Sequence, residues 1–373
     1  MANKTVALLC LMFVVLSAKA QDKQYKVHTI AFYNIENFYD TINDPNTRDD
    51  EWVYSGKNFK LKVSNIAKVI SMLGVNEKTN PNSPTVIGLA EVENRAALEA
   101  LVKDPQIISK DYGIIHFDSP DRRGIDNALL YQKKHFRPTS YKNIPLYIYD
   151  DNAKPDSSVE EKDKKKDKDS FDDKDENVEV DSKTRRIYTR DQLLVTGLLD
   201  GEEMHFIVNH WPSRRGGEAI SSPLREAAAA LNKKIIDSLY KINPNAKVIT
   251  MGDLNDGPYN KSIKKVLGAK AKKEDVQPMG LFNPMEDLSN KGVGTLAYRD
   301  AWDLFDQMIL TEPLIRKDYT SYGFWKADVF SKPFMFQTAG QYKGYPNRNW
   351  NGKMGYSDHL PVYLYLIKEQ KNK

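Results

Sequence analysis

The stretch Lys247-Val248-Ile249-Thr250-Met251-Gly252-Asp253-Leu254-Asn255-Asp256 decides the fold. Lys247 to Met251 reads as a strand, and the run breaks at once into Gly-Asp-x-Asn. An apolar strand ending in polar groups is how a rigid scaffold presents functional side chains. Three other clusters follow the same pattern, and a fourth stands just before a strand. Tyr33-Asn34-Ile35-Glu36-Asn37 follows the strand-like Val27 to Phe32, and Glu91-Val92-Glu93-Asn94 follows Thr85 to Leu89. Asn209-His210-Trp211-Pro212-Ser213-Arg214 follows His205 to Val208, and Ser357-Asp358-His359 precedes Val362 to Ile367. Ala128 to Tyr131, Gln192 to Leu198 and Gln307 to Leu310 are further strand candidates. Phe59, Val63, Ile66, Ile70 and Leu73 recur at helical spacing with Gly74 as a stop, and Leu224 to Tyr240 reads as a second helix. Strands interleaved with helices, without a glycine-rich dinucleotide fingerprint, predict layered sheets with helices outside.

Taken singly, each cluster has an ordinary explanation: a turn asparagine, a charge at a helix start, a hydrogen-bonded histidine. Together they assemble a chemistry. Oxygen donors from Asn34, Glu91 and Asp358 are hard ligands suited to Mg²⁺ or Mn²⁺, and no His-x-x-x-His or paired-cysteine zinc spacing occurs. Two histidines, His210 and His359, accompany several carboxylates, two asparagines and loose arginines. That set serves water attack on a phosphodiester, in which one group activates water while cations and a histidine stabilise the developing charge. A serine hydrolase is excluded, because there is no Gly-x-Ser-x-Gly elbow.

The ordered set Asn34, Glu91, His210, Asp253-x-Asn255, Asp306 and Ser357-Asp358-His359 resembles the endonuclease/exonuclease/phosphatase superfamily, the DNase I-like proteins, and within it the exported bacterial nuclease-like members. The resemblance runs from about Tyr25 to Ile367. It implies a four-layered α/β sandwich of two central, mainly antiparallel sheets flanked by helices, with the site at one edge. It makes Glu91 the principal Mg²⁺ ligand, with Asn34 and Asp358 beside the metal and Mn²⁺ or Ca²⁺ as alternatives. Asp253 and Asn255 would position and activate water. His359 would handle protons, oriented by Asp306, for which Asp303 is a rival. His210 would contact phosphate and is a candidate general acid. Arg122, Arg123 and Asn127 in Asp121-Arg-Arg-Gly-Ile-Asp126-Asn127, together with Arg214, are candidate substrate contacts, since arginine forks match phosphate oxygens. Arg225 is expected to open a helix in a structural role. The aromatic stretch Tyr322, Phe324, Trp325, Phe330, Phe334 and Phe336 reads by default as core.

The remaining features bear on setting and substrate. Of 373 residues, 40% are hydrophobic and 28% charged, as in a soluble globular chain, and beyond the N-terminus no apolar run is long enough for an integral membrane segment. Residues 1–20 read as a signal peptide: Lys4, an apolar run from Val6 to Leu16, then Ala18-Lys19-Ala20. Residues 21–373 would form the functional domain, exported to the periplasm or beyond and free of cysteine after cleavage. Asp150 to Lys183 carries 14 acidic and 8 basic residues with five apolar ones, too few to offset ordering entropy. It is expected to be a disordered insertion; the spacing of a calcium loop is absent. With Lys4, Lys19 and this insert set aside, the formal charge of +4 becomes +8, which suits an anionic partner. The inositol-phosphatase branch is disfavoured by Asp256-Gly257-Pro258 and Phe305-Asp306-Gln307, where its signatures would stand. The expectation is a monomeric metal-dependent DNA or RNA endonuclease. A sphingomyelinase acting on phospholipid is the alternative, and a non-catalytic binding protein on the same scaffold is a third reading.

Overall fold

Period-two alternation along β1 (Tyr25–Phe38) sends Ile30 and Phe32 to one face and Ala31 and Tyr33 to the other, and the architecture follows from this. The computed structural model describes residues 23–50, 52–76, 80–149, 184–350 and 352–370; the expected signal peptide and the charged stretch Asp150 to Lys183 lie outside them. After β1 come β2 (Val86–Val92), β3 (Tyr112–His116), β4 (Asp126–Gln132) and β5 (Phe136–Ile144). A short pair, β6 (Ile148–Tyr149) and β7 (Arg186–Ile187), precedes β8 (Gln192–Leu199), β9 (Glu202–His210) and β10 (Val248–Asp253). Then follow β11 (Leu281–Phe282), the hairpin β12 (Leu296–Tyr298) and β13 (Ala301–Asp303), β14 (Asp306–Thr311), β15 (Gly323–Val329) and β16 (Val362–Glu369).

One six-stranded sheet has the order β15-β16-β1-β2-β4-β3, the other β11-β14-β10-β9-β8-β5. Each holds a single parallel pair, β1 with β2 and β10 with β9; every other neighbour is antiparallel. The inner faces meet through Phe32, Val86, Leu129, Phe206, Val208, Met251, Met308 and Leu364. Truncating a ring such as Phe206 there costs about 3–5 kcal/mol. Gly88 permits the close approach, since a Cβ on it would lie 3.1 Å from Val208 and 3.2 Å from Met251. Helices α1 (Gly56–Met72) and α2 (Arg95–Val102) cover the outer face of the first sheet, where Val63, Ile66, Ile70, Leu98 and Leu101 meet Tyr33, Leu89 and Leu130. Helix α3 (Glu218–Ile242) covers the second sheet with Ala228, Ile235, Ile236 and Leu239 against Ile207, Val248 and Ile309. The short α4 (Met285–Asn290) packs beside β14. The result is the expected helix–sheet–sheet–helix sandwich.

Three expectations change. β1 extends past Phe32 to Phe38, because its polar residues stay paired with β2 through a bulge between Asn34 and Phe38. Helix α3 begins at Glu218, six residues before Leu224, with Pro223 inside it, so Arg225 lies within the helix and does not open it. β3, β5, β15 and α2 were not predicted; β5 in particular is an edge strand whose side chains are mostly polar and exposed. Most of the aromatic stretch is core, with Tyr322, Phe324 and Phe330 buried and only Trp325 largely exposed.

Candidate active site

The C-terminal ends of β1, β2, β9 and β10, the start of β14 and the turn before β16 meet at one edge of the sandwich. Register explains the convergence: Asp253 pairs with His210 on one side and Asp306 on the other. Gly252 is needed beside Asp253 because a Cβ there would fall 2.2 Å from the Asn209 carbonyl oxygen. Beneath it, buried Asn209 donates to Thr250 Oγ1 (2.8 Å), and Asn232 of α3 donates to Asn209 Oδ1 (2.9 Å). These hydrogen bonds tie the strand ends to α3. Backbone strain collects above it. Glu36, Asn37, Glu91 and Asn255 all have positive φ (51°, 46°, 63° and 48°), and a second bulge between Leu89 and Val92 re-aims Glu91.

His359 Nδ1 lies 2.7 Å from Asp306 Oδ2, and its Nε2 faces Asp253 Oδ2 at 3.7 Å. Asp253 Oδ2 is also 3.7 Å from His210 Nε2. The expected orienting carboxylate is therefore Asp306; Asp303 lies on the β13 hairpin. Burial alone would neutralise His359, but Asp306, Asp253 and Asp358 overcome it and raise its pKa well above the usual imidazole range. The Asp253 carboxyl is pushed up to about 7, first by burial and then by Asp306 and Glu91, against the opposing charge of His359. His210 is driven the other way: burial lowers its pKa far below the usual range, with Arg190 and Arg123 adding repulsion. It is a neutral imidazole with one ring nitrogen unpartnered, not a stored imidazolium proton.

Asn34 Nδ2 donates to Glu91 Oε1 (3.0 Å) and Asp253 Oδ2 (3.2 Å), while its Oδ1 accepts from the Glu36 N–H. Glu91 Oε2 accepts from the Asn37 N–H at 2.7 Å. Asn255 donates its backbone N–H to Asp253 Oδ1 and its side-chain amide to the Trp211 carbonyl, which fixes it beside the site. Asp358 stands to one side, its Oδ2 3.4 Å from Arg348 Nη2. The donor chemistry fits a hard divalent cation: carboxylates of Glu91, Asp253 and Asp306 crowd a buried volume, and Asp306 Oδ1 is buried without a partner. Asp253, Asp306 and His359 bring ligand atoms within 4.8 Å of one another. Asn34 differs from its expected role, because here it turns its NH₂ and not its oxygen toward the carboxylates.

The candidate substrate contacts divide. Arg214 donates to the Asn255 carbonyl (2.9 Å) and to Glu218 and Asn260, pairs with Asp256, and stacks on Phe305. It braces the Asp253–Asp256 turn, a structural role in place of the expected phosphate contact. Arg225 also holds Asp256, at 2.6 Å. Asn127 donates to the Asp191 carbonyl, with its own oxygen buried and unpartnered. Arg122 lies over the Tyr188 ring. Arg123 borders His210 and pairs with Asp121 at 3.7 Å. Sequence reading missed Arg190, which pairs with Asp121 (2.8 Å) and donates to the Trp211 carbonyl. It also missed the buried ion network of Glu36, Lys62 and Arg348, in which Glu36 lies 3.6 Å from Lys62 and 3.3 Å from Arg348. Arg190 follows the charged insertion with no motif around it, and Glu36 and Arg348 are far apart in sequence, so neither carried a local signal.

A family model described as Endonuclease/Exonuclease/phosphatase family matches residues 29–168 and 166–368. The chain belongs to this family. Among curated proteins none matches it. Several solved structures share the family fold. Humanized D. rerio TDP2 superposes with a TM-score of 0.52 at 12% identity, covering 91% of this chain and 98% of that one. Truncated Caenorhabditis elegans TDP2 gives 0.51 at 15%, with the same coverages. D. rerio TDP2 complexed with single strand DNA product gives 0.50 at 11%, again covering 91% and 98%. At these identities the likeness establishes the fold. Among the described residues no helix is long and apolar enough to cross a membrane.

Proposed function

We propose that this protein is an exported, Mg²⁺-dependent phosphodiesterase that cleaves DNA or RNA by attack of an activated water. The observation that carries the reading is the buried Asp306–His359–Asp253–His210 constellation, in which one imidazole is held charged and the other neutral over a single carboxylate. The +8 charge of the body supports a polyanionic substrate, as does the fold shared with a protein seen with a DNA product. The N-terminal three-part pattern supports export.

In this mechanism Asp253, with a proton affinity near neutrality, accepts the proton of the attacking water. The backbone N–H of Asn255 keeps that carboxylate in place, while its side chain is tied to the Trp211 carbonyl. Imidazolium His359, oriented by Asp306, directs Nε2–H at a phosphate oxygen and stabilises the charge that develops there. Neutral His210 contributes a second ring nitrogen from the opposite side, and Arg123 and Arg190 make that side electropositive. A divalent ion held by Glu91 and neighbouring carboxylates, with Asn34 turned to offer its oxygen, would supply Lewis-acid stabilisation of the phosphate and leaving oxygen.

The chain beginning at Gln21 and its His359→Ala variant should be given supercoiled plasmid, RNA, sphingomyelin and bis-p-nitrophenyl phosphate, with Mg²⁺ or EDTA. Nucleic-acid cleavage that needs metal and falls about 10²–10⁴-fold without His359 is expected. Preferential sphingomyelin turnover would replace nucleic acid by phospholipid as substrate. A folded protein inert on all four would overturn the proposal.

A further inference from the structure

About 20 Å along β1 from Asn34, at the opposite end of the sandwich, a second group of histidines and a carboxylate converges. His28 comes from the start of β1, His135 from the β4–β5 turn, and Asp200 from the β8–β9 turn. Their ligand atoms all lie within 4.8 Å of one another. The geometry points to a structural zinc-type site here, with His28, His135 and Asp200 as protein ligands clasping the two sheets together.

Each ligand is positioned before any ion arrives. Asp200-Gly201 is a two-residue hairpin turn with both φ values positive (46° and 92°), a turn type that favours Asp-Gly. The Asp200 N–H donates to the His135 carbonyl at 2.8 Å, locking the two turns together. His135 Nδ1 stands 3.3 Å from Asp200 Oδ1, close to the roughly 3.4 Å separating two donors that share a tetrahedral ion at about 2.1 Å. His28 is buried, and its Nδ1 lies 2.7 Å from Thr85 Oγ1. That hydroxyl can accept the Nδ1 proton and leave the Nε2 lone pair facing the cluster, the outer-shell arrangement typical of a ligating histidine. Burial also lowers the His28 pKa, which favours the neutral, ligating form. Solvent remains to complete the shell, and Tyr322 Oη donates to Asp200 Oδ2 at 2.7 Å and so orients that carboxylate. His28 Nε2 lies 2.5 Å from Asp200 Oδ2, and the half-exposed Lys26 sits 2.7 Å from the same oxygen. Metal entry would displace the Lys26 ammonium to solvent and part the His28–Asp200 contact by about 1 Å. The mature chain has no cysteine, so a metal clasp is a way to join the sheets without a disulfide.

The test uses metal-stripped full-length protein in a Glu91→Gln/His359→Ala background, which weakens metal binding at the other end. Zn²⁺ is titrated calorimetrically, melting is followed with and without it, and Co²⁺ is added as a visible-absorbing probe. One equivalent of Zn²⁺ should bind and raise the melting temperature, with tetrahedral Co²⁺ bands, and all three signals should vanish on adding His135→Ala. Lys26→Ala, which frees the carboxylate, should tighten Zn²⁺ binding. Absence of Zn²⁺ binding in the background protein, or stoichiometry unchanged by His135→Ala, would reduce the cluster to a hydrogen-bonded strap and overturn the inference. If His135→Ala does not fold, the Lys26→Ala comparison decides alone: a stability loss without tighter Zn²⁺ binding overturns it equally.

Discussion

Both ends of the sandwich pair a buried histidine with an aspartate, and the two imidazole pKa values are shifted in opposite directions. His359 holds Asp306 at 2.7 Å, and its pKa is raised; His28 holds Asp200 at 2.5 Å, and its pKa is lowered. Burial is the largest single influence on both and disfavours charge at both. The difference lies in how many carboxylates face each ring. His359 faces Asp306, Asp253 and Asp358, whereas Asp200 is shared among His28, Lys26, His135 and Tyr322. One close carboxylate does not hold a buried imidazolium here, and three do.

The sharpest way to break the comparison is Asp306→Asn, which keeps the shape and removes the nearest of the three charges. The His359 pKa should fall, so the part of the pH–rate profile that needs protonated His359 should move to lower pH. Turnover at neutral pH should drop about 10²–10³-fold. Steady-state rates across pH 5–9 check this. A variant with the wild-type profile and rate would show that Asp306 is not what holds the proton.

Much of this site was legible because its residues sit in short local motifs. Gly252-Asp253-x-Asn255 and Ser357-Asp358-His359 each bring a strand end, a turn and a functional group into a few residues, and periodicity located the strands carrying them. What stayed hidden depends on distant partners. The neutrality of His210 comes from burial beside Arg190 and Arg123, and Arg190 lies across the charged insertion from the Asp121 it pairs with. Arg214 read as a phosphate ligand because it follows His210, yet its donors turn back onto Asn255, Glu218 and Asn260, which only the fold brings near. The bulges that turn Asn34 and Glu91 inward interrupt pairing without any glycine or proline to mark them.

The opposite end can be probed by Asp200→Asn. Burial would raise the Asp200 pKa, but hydrogen bonds from His28, Lys26 and Tyr322 hold it well below the usual carboxylate range. A depressed carboxylate contributes stability that is present above its unfolded pKa of about 4 and lost as pH falls toward its folded value. At pH 7 the variant should lose about 1–3 kcal/mol, the cost of leaving buried partners of a carboxylate unsatisfied. The gap between variant and wild type should narrow below about pH 4. The active end has the reverse sign: raised His359 contributes stability fully present below about pH 6.5, lost as pH rises through its folded pKa. Urea melts at pH 7 and pH 3 check this, and an equal gap at both would rule out the charged network as the source.

The smallest effect should come from removing Asp150 to Lys183. The described residues show how the segment is closed: Ile148 pairs with Ile187 and Tyr149 with Arg186, so the chain leaves and returns side by side. Ile148 and Ile187 are buried with Leu146 against the α3 layer, and this anchors the pair independently of what it connects. Joining Tyr149 to Thr184 through Asn-Gly leaves four residues between the paired Tyr149 and Arg186, a short hairpin connection, and loop-closure entropy then favours the shorter form slightly. Stability should stay within about 1 kcal/mol of wild type or rise, with turnover unchanged. Removing a net charge of −6 makes the body more basic, so binding to a polyanion should strengthen at low salt and converge with wild type as salt screens it. Failure of the shortened chain to fold would show that the segment contributes contacts the β6–β7 pair cannot replace.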